Sequence, residues 1–117
     1  MSGRAAIAYK VLTASQMAAL EAEGSFAGAP VDLADGYIHL STAAQLDATL
    51  ARHFAAQADL HLAAVDIVAL DEAVRWEPSR GGDLFPHLYA PLPLSAVIAR
   101  GPLERDDEGK AKLPVAG

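Results

Sequence analysis

The run Asp35-Gly36-Tyr37-Ile38-His39-Leu40-Ser41-Thr42 leaves the chain little freedom around it. Asp-Gly is a strong turn signal. The next residues alternate, placing Tyr37, His39 and Ser41 on one face of a strand and Ile38 and Leu40 on the other. Thr42-Ala43-Ala44-Gln45 fits a capping box, so a helix starts at once. Turn, short strand and helix thus follow one another without slack. Ile38 and Leu40 form the core face. The opposite face carries a tyrosine, a histidine and a serine. It suits either a bound ligand or a half-buried histidine satisfied by a backbone carbonyl.

Upstream, Ala5 to Leu12 reads as a first strand, with Ile7, Tyr9 and Val11 on one face and Ala6, Ala8, Lys10 and Leu12 on the other. Thr13-Ala14-Ser15-Gln16 is a second capping-box pattern, opening a helix that Gly24 stops. Ser25 to Ala34, with Gly28 and Pro30, reads as a loop. Downstream, a helix is expected from about Ala43 to Gln57, with Leu46, Leu50 and Phe54 as its buried stripe. Leu60 to Leu70 reads as a buried strand. Val74-Arg75-Trp76-Glu77 alternates again, with Trp76 expected largely buried near Leu46, Leu50 or Phe54. A loop over residues 78–83 leads to an extended piece, Leu84 to Tyr89, and a last strand, Ser95 to Arg100. Strands outnumber helices and both main helices come early, which indicates an α+β fold with a mostly antiparallel sheet.

With 117 residues the chain suits one domain, expected over residues 1–105 with a partly ordered tail over 106–117. A net charge of −6 argues against a broad basic surface for extended nucleic acid, while leaving room for a local phosphate pocket. The chain has no cysteine, which excludes disulfides and thiolate metal sites and is compatible with the cytosol. No apolar run is long enough to span a membrane, and no signal-peptide pattern opens the sequence. A cytoplasmic monomer or weak dimer is expected. The spacing of His39, His53, His61 and His87 matches no compact metal signature, so no metal is expected.

A second constellation, Trp76 to Tyr89, gathers Trp, Phe, Tyr, Glu, Arg and His around the Gly81-Gly82 turn. Such a mixture suits aromatic walls with a few directed polar groups. It equally suits an ordinary hairpin, with Trp76 and Phe85 in the core and Glu77 paired to Arg75 or Arg80.

Tyr9-Lys10-Val11-Leu12, Asp35 to Thr42, Arg52-His53-Phe54, Arg75-Trp76-Glu77-Pro78 and Phe85-Pro86-His87-Leu88-Tyr89 together resemble the bacterial family of domain of unknown function 952. The resemblance covers residues 7–103. It implies an ADP-ribosyltransferase-like fold: a split, mostly antiparallel sheet with two main helices, clasping NAD. By the same resemblance, His39 and Ser41, with Thr42 beside them, would hold the ribose and the nicotinamide amide. Phe54, Tyr89 or Trp76 would stack on nicotinamide, and Arg52 or Arg80 would hold the phosphates. Glu77 or His87 would carry the chemistry with His39. The expected ligand is NAD or a related nucleotide, and the expected activity ADP-ribosyl transfer. The alternatives are a non-catalytic binding module and an RNA 2′-phosphotransferase-like activity built on His39, Arg52, Arg80 and His87.

Overall fold

A computed structural model describes residues 6–79 and 82–114 of the chain. Strand β1 (Ile7–Thr13) passes directly into helix α1 (Ala14–Glu23) through the expected capping box, Thr13 accepting from the Gln16 amide and Gln16 from that of Thr13. Strand β2 (Ser25–Phe26) and a short helix, α2 (Pro30–Asp35), occupy the stretch expected to be a loop. Pro30 supplies a preset helical φ at the first position. Asp32 accepts the orphan Ala29 N–H at 2.8 Å. Gly36, in the left-handed region at φ 89°, ends the helix.

Strand β3 (Ile38–His39) is shorter than the alternation suggested and leads into helix α3 (Ala43–His53), capped by Thr42 and Gln45. Helix α3 stops before Gln57 because Phe54 leaves helical geometry at φ −129°. Strand β4 (Leu60–Asp66) also ends early. The Asp66 carboxylate accepts from the Ala69 amide at 3.2 Å and so caps a four-residue helix, α4 (Ile67–Leu70). Strands β5 (Val74–Pro78) and β6 (Leu84–Leu88) form the hairpin. β7 (Leu92–Pro93) and β8 (Val97–Pro102) follow.

Every strand pairing among the described residues is antiparallel, in three sheets ordered β1-β4-β8, β2-β7 and β3-β6-β5. The chain is thus an α+β domain with two longer and two short helices. β1 and β4 are covered on both faces. Tyr9, Val11, Leu62 and Ala64 pack with Leu46 and Leu50 of α3 on one side. Ala8, Leu12, Ala63 and Val65 pack on the other with Met17 and Leu20 of α1 and with Ile38, Leu40 and Leu88. Trp76 belongs to this second cluster, half-buried, and not to the Leu46–Leu50 side expected for it.

The tail is partly built into the domain. Arg105 and Ala111 form an antiparallel bridge, and the Ala111 amide donates to Asp47 of α3 at 2.9 Å. Leu113 packs against the α3-side cluster. No helix among the described residues is long and apolar enough to cross a membrane.

Candidate functional site

The sheet β3-β6-β5 has one apolar and one polar face. Ile38, Leu40, Leu88 and Trp76 point into the core, as their alternation requires. The polar face follows from register. His39 pairs directly with His87, and His87 with Arg75, so residues distant in sequence stand in one row. Tyr37 precedes this row by two residues on its strand and Tyr89 follows it by two on another, so both share its face.

The rings on this face touch. Tyr37 stacks on His87 with centroids 4.0 Å apart, and lies 4.7 Å from His39 and 5.2 Å from Tyr89. Glu77 Oε1 accepts from the Tyr89 hydroxyl at 2.7 Å and sits 2.8 Å from His87 Nδ1. The hydrogen bond from His87, then that from Tyr89, lowers the Glu77 pKa. The Arg75 guanidinium lies over the Tyr89 ring, 4.8 Å from its centroid.

Beside this face lies a cleft of about 600 Å³, where β1 and the β3 segment part company. The two segments meet through an isolated bridge between Tyr9 and Ser41, with mutual backbone hydrogen bonds of 2.7 and 3.0 Å. Tyr9, Lys10 and Val11 line one wall, Tyr37, His39 and Ser41 another, and Phe54, Phe85 and His87 close it. Such a volume and such aromatic walls are usual for a small-molecule site.

One wall is built on a buried ion pair. Lys10 and Asp32 side chains are 5% and 1% exposed, and Lys10 Nζ lies 2.8 Å from Asp32 Oδ2. Two buried opposite charges need each other, since either alone would face an uncompensated desolvation cost. Asp32 Oδ1 meets His39 Nδ1 at 2.6 Å and accepts the His39 amide at 3.1 Å. Lys10 Nζ also donates to the His39 carbonyl at 3.2 Å. The outer nitrogen, His39 Nε2, lies 3.0 Å from Asp35 Oδ2 at the cleft wall. Burial raises the Asp32 pKa, but His39 and Lys10 more than offset it, holding the carboxyl well below the usual range. Burial lowers the Lys10 pKa, against the pull of Asp32.

The structure brings His39, Ser41, Phe54 and His87 to the cleft. Ser41 is buried, with its hydroxyl 2.8 Å from that of Thr49. Thr42 is the α3 cap, which accounts for its hydroxyl without a ligand. Arg52 is exposed in the last turn of α3 and is not on the cleft wall, so it does not converge with His39 and His87. Glu77 and Tyr89 lie behind His87 on the same face without lining the cleft. Arg80 lies outside the described residues. Among the described residues no group of three metal-ligating side chains converges.

Sequence reasoning missed Lys10, Asp32 and Asp35. A lysine centred in the apolar strand Ile7–Thr13 was the available signal, because a charge there requires a buried partner. The partner itself was hidden in the stretch read as loop.

The sequence profile described as protein of unknown function (DUF952) matches residues 11–100. The chain belongs to that family. The crystal structure of protein CC0527 from Caulobacter crescentus is 45% identical, with a TM-score of 0.82 over 91% of this chain and 93% of that one. The solution NMR structure of CC0527 gives a TM-score of 0.78 at 45% identity, over 91% of each chain. No curated protein matches this DUF952 chain.

Proposed function

We propose that the cleft binds NAD or a related nucleotide and that the reaction is transfer of its ADP-ribosyl group. The observation supporting this is the meeting of His39, Ser41, Phe54 and His87 around one 600 Å³ cavity. A glycosidic bond to nicotinamide breaks through a cationic sugar. Its cleavage calls for flat apolar walls, directed polar groups and nearby negative charge. Phe54, Phe85 and Tyr37 supply the walls, and Asp35 puts a carboxylate on the cleft surface. In this reading Phe54 takes the nicotinamide face and His39 and Ser41 the ribose side. Arg80 and His53 are the remaining candidates for the phosphates.

A thermal-shift series with NAD, ADP-ribose and nicotinamide tests the reading, because a ligand that binds only the native state raises its melting temperature. NAD at a hundred times its dissociation constant stabilises by about 2.7 kcal/mol. The absence of any shift at millimolar NAD would remove the proposal.

A second reading, a binding module without turnover, draws on Glu77. Its carboxylate is tied to His87 and Tyr89 and lies off the cleft wall, where it cannot stabilise a sugar cation in the cavity. A stable NAD complex that releases no nicotinamide would favour it. An RNA 2′-phosphotransferase-like activity would show instead as stabilisation by a 2′-phosphorylated RNA end.

A further inference from the structure

Asp32 is saturated. Its Oδ2 takes the Lys10 ammonium and the Ala29 amide, both at 2.8 Å, and its Oδ1 faces the amide and Nδ1 of His39. With four partners and 1% exposure, this carboxylate cannot swing away from the ring. Asp35 is its opposite. It is 46% exposed, it is the last residue of α2, and Gly36 follows it at φ 89°. One nitrogen of His39 is therefore locked and the other is held by a carboxylate free to leave.

We propose that His39 is the proton-transfer group of the cleft, that Asp32 and Lys10 are its positioning residues, and that Asp35 is a releasable latch on Nε2. Only the identity of the reactants rests on the nucleotide reading. Asp32 fixes the proton of the neutral ring on Nδ1, leaving the Nε2 lone pair toward the cleft once Asp35 moves aside. An acceptor O–H gives its proton to Nε2. The oxygen lone pair forms the new bond to ribose C1′. The C1′–N bond breaks, and its electron pair leaves on neutral nicotinamide. The ring now carries a proton on each nitrogen, and both then face carboxylate oxygens, at 2.6 and 3.0 Å, the arrangement seen here. The proton leaves to solvent through the exposed Asp35 side. Tyr37 and His87, with ring centroids 4.7 and 5.7 Å from His39, complete its ionisable surroundings.

Nitrogen-15 histidine spectra of the full chain test the placement of the proton. They are recorded along a rising pH series up to the point where the ring nitrogen shifts stop changing, so that the neutral ring is the form read. In wild type and in Asp35→Asn, His39 should carry its proton on Nδ1. Asp32→Asn should mix the two tautomers. A proton on Nε2 in Asp35→Asn overturns the proposal, as does an unchanged tautomer in a folded Asp32→Asn chain. If Asp32→Asn does not fold, the other two spectra still decide. The second arm is nicotinamide release from NAD. His39→Gln should lower kcat on the order of 100-fold or more, the usual range for a lost acid–base group. Unchanged kcat overturns the proposal. Failure of NAD to bind removes the nucleotide reading instead and leaves the tautomer result to stand.

Discussion

Asp32 Oδ1 stands 2.6 Å from His39 Nδ1, and this contact ties the start of α2 to the strand that faces the cleft. Gly28 makes room for it. A Cβ added at Gly28 would sit 2.9 Å from the Asp32 Cβ, and its φ of 134° already favours glycine. The chain thus closes tightly around a charge whose partner, Lys10, comes from β1.

Asp32→Ala should therefore be among the most damaging single changes in the chain. It strands a buried ammonium and frees the Ala29 amide and the His39 ring. Breaking one side of a buried pair costs about 3–5 kcal/mol. Lys10→Met combined with Asp32→Leu should recover much of that loss, because apolar residues of similar volume satisfy a buried site. Urea melts of wild type and of the two variants check this. A cost below about 1 kcal/mol for Asp32→Ala would show that the pair is solvated.

The same carboxylate sets an acid limit. The folded-state pKa of Asp32 lies well below its unfolded value of about 3.9. The unfolded chain therefore binds the proton first as pH falls, and stability declines with it. The Asp32 contribution is fully present above about pH 5 and is lost progressively below about pH 4. In Asp32→Asn the fall in melting temperature over that interval should be shallower than in wild type. Parallel acid profiles would place the limiting carboxylates elsewhere.

What the sequence revealed and what it hid have one physical root. Capping boxes at Thr13 and Thr42 are local chemistry, so both long helices start where the pattern puts them. The inward and outward faces of Tyr37 to Ser41 and of Val74 to Glu77 follow from strand alternation alone. Helix α2 has no apolar stripe. Val31 and Leu33 are exposed and the buried residue is Asp32, so periodicity pointed away from a helix. His39 and His87 were each visible as candidates, but their adjacency is a matter of strand register across 48 residues, and register is not written locally. Arg52 was assigned to the phosphates by resemblance alone, and its place on the polar stripe of α3, apart from Leu46 and Leu50, turns it to solvent.

Trp76 gives a packing test. It is half-buried against the Ile38–Leu40–Leu88 cluster, on the apolar face of β5. Removing a fully buried tryptophan costs about 3–5 kcal/mol. With part of its surface already in water, Trp76→Ala should cost less, about 1–3 kcal/mol by the same scale. Its fluorescence should shift red on denaturation by less than that of a fully enclosed indole. A loss above about 4 kcal/mol would mean that the side chain is covered more completely than its accessibility implies.

Phe54 and Arg52 stand two residues apart at the end of α3 and make the sharpest test of where the ligand sits. Phe54 leaves the helix and lines the cleft, while Arg52 remains in the last turn, exposed and off the cleft wall. If NAD occupies the cavity with an aromatic face on Phe54, Phe54→Ala removes a wall worth on the order of 1–3 kcal/mol in base stacking. That loss weakens binding about 5- to 150-fold. It also trims the α3-side cluster, so affinity is compared by calorimetry well below the melting temperature of the variant. Phe54→Leu, which keeps much of the apolar volume without the flat ring, should hold the fold and still bind weakly. Arg52→Ala should leave affinity within about twofold, because an exposed arginine outside the cavity gains little from a screened phosphate. The reverse pattern, with Arg52→Ala abolishing binding and Phe54→Leu neutral, would move the ligand off the cleft and onto the outer face of α3.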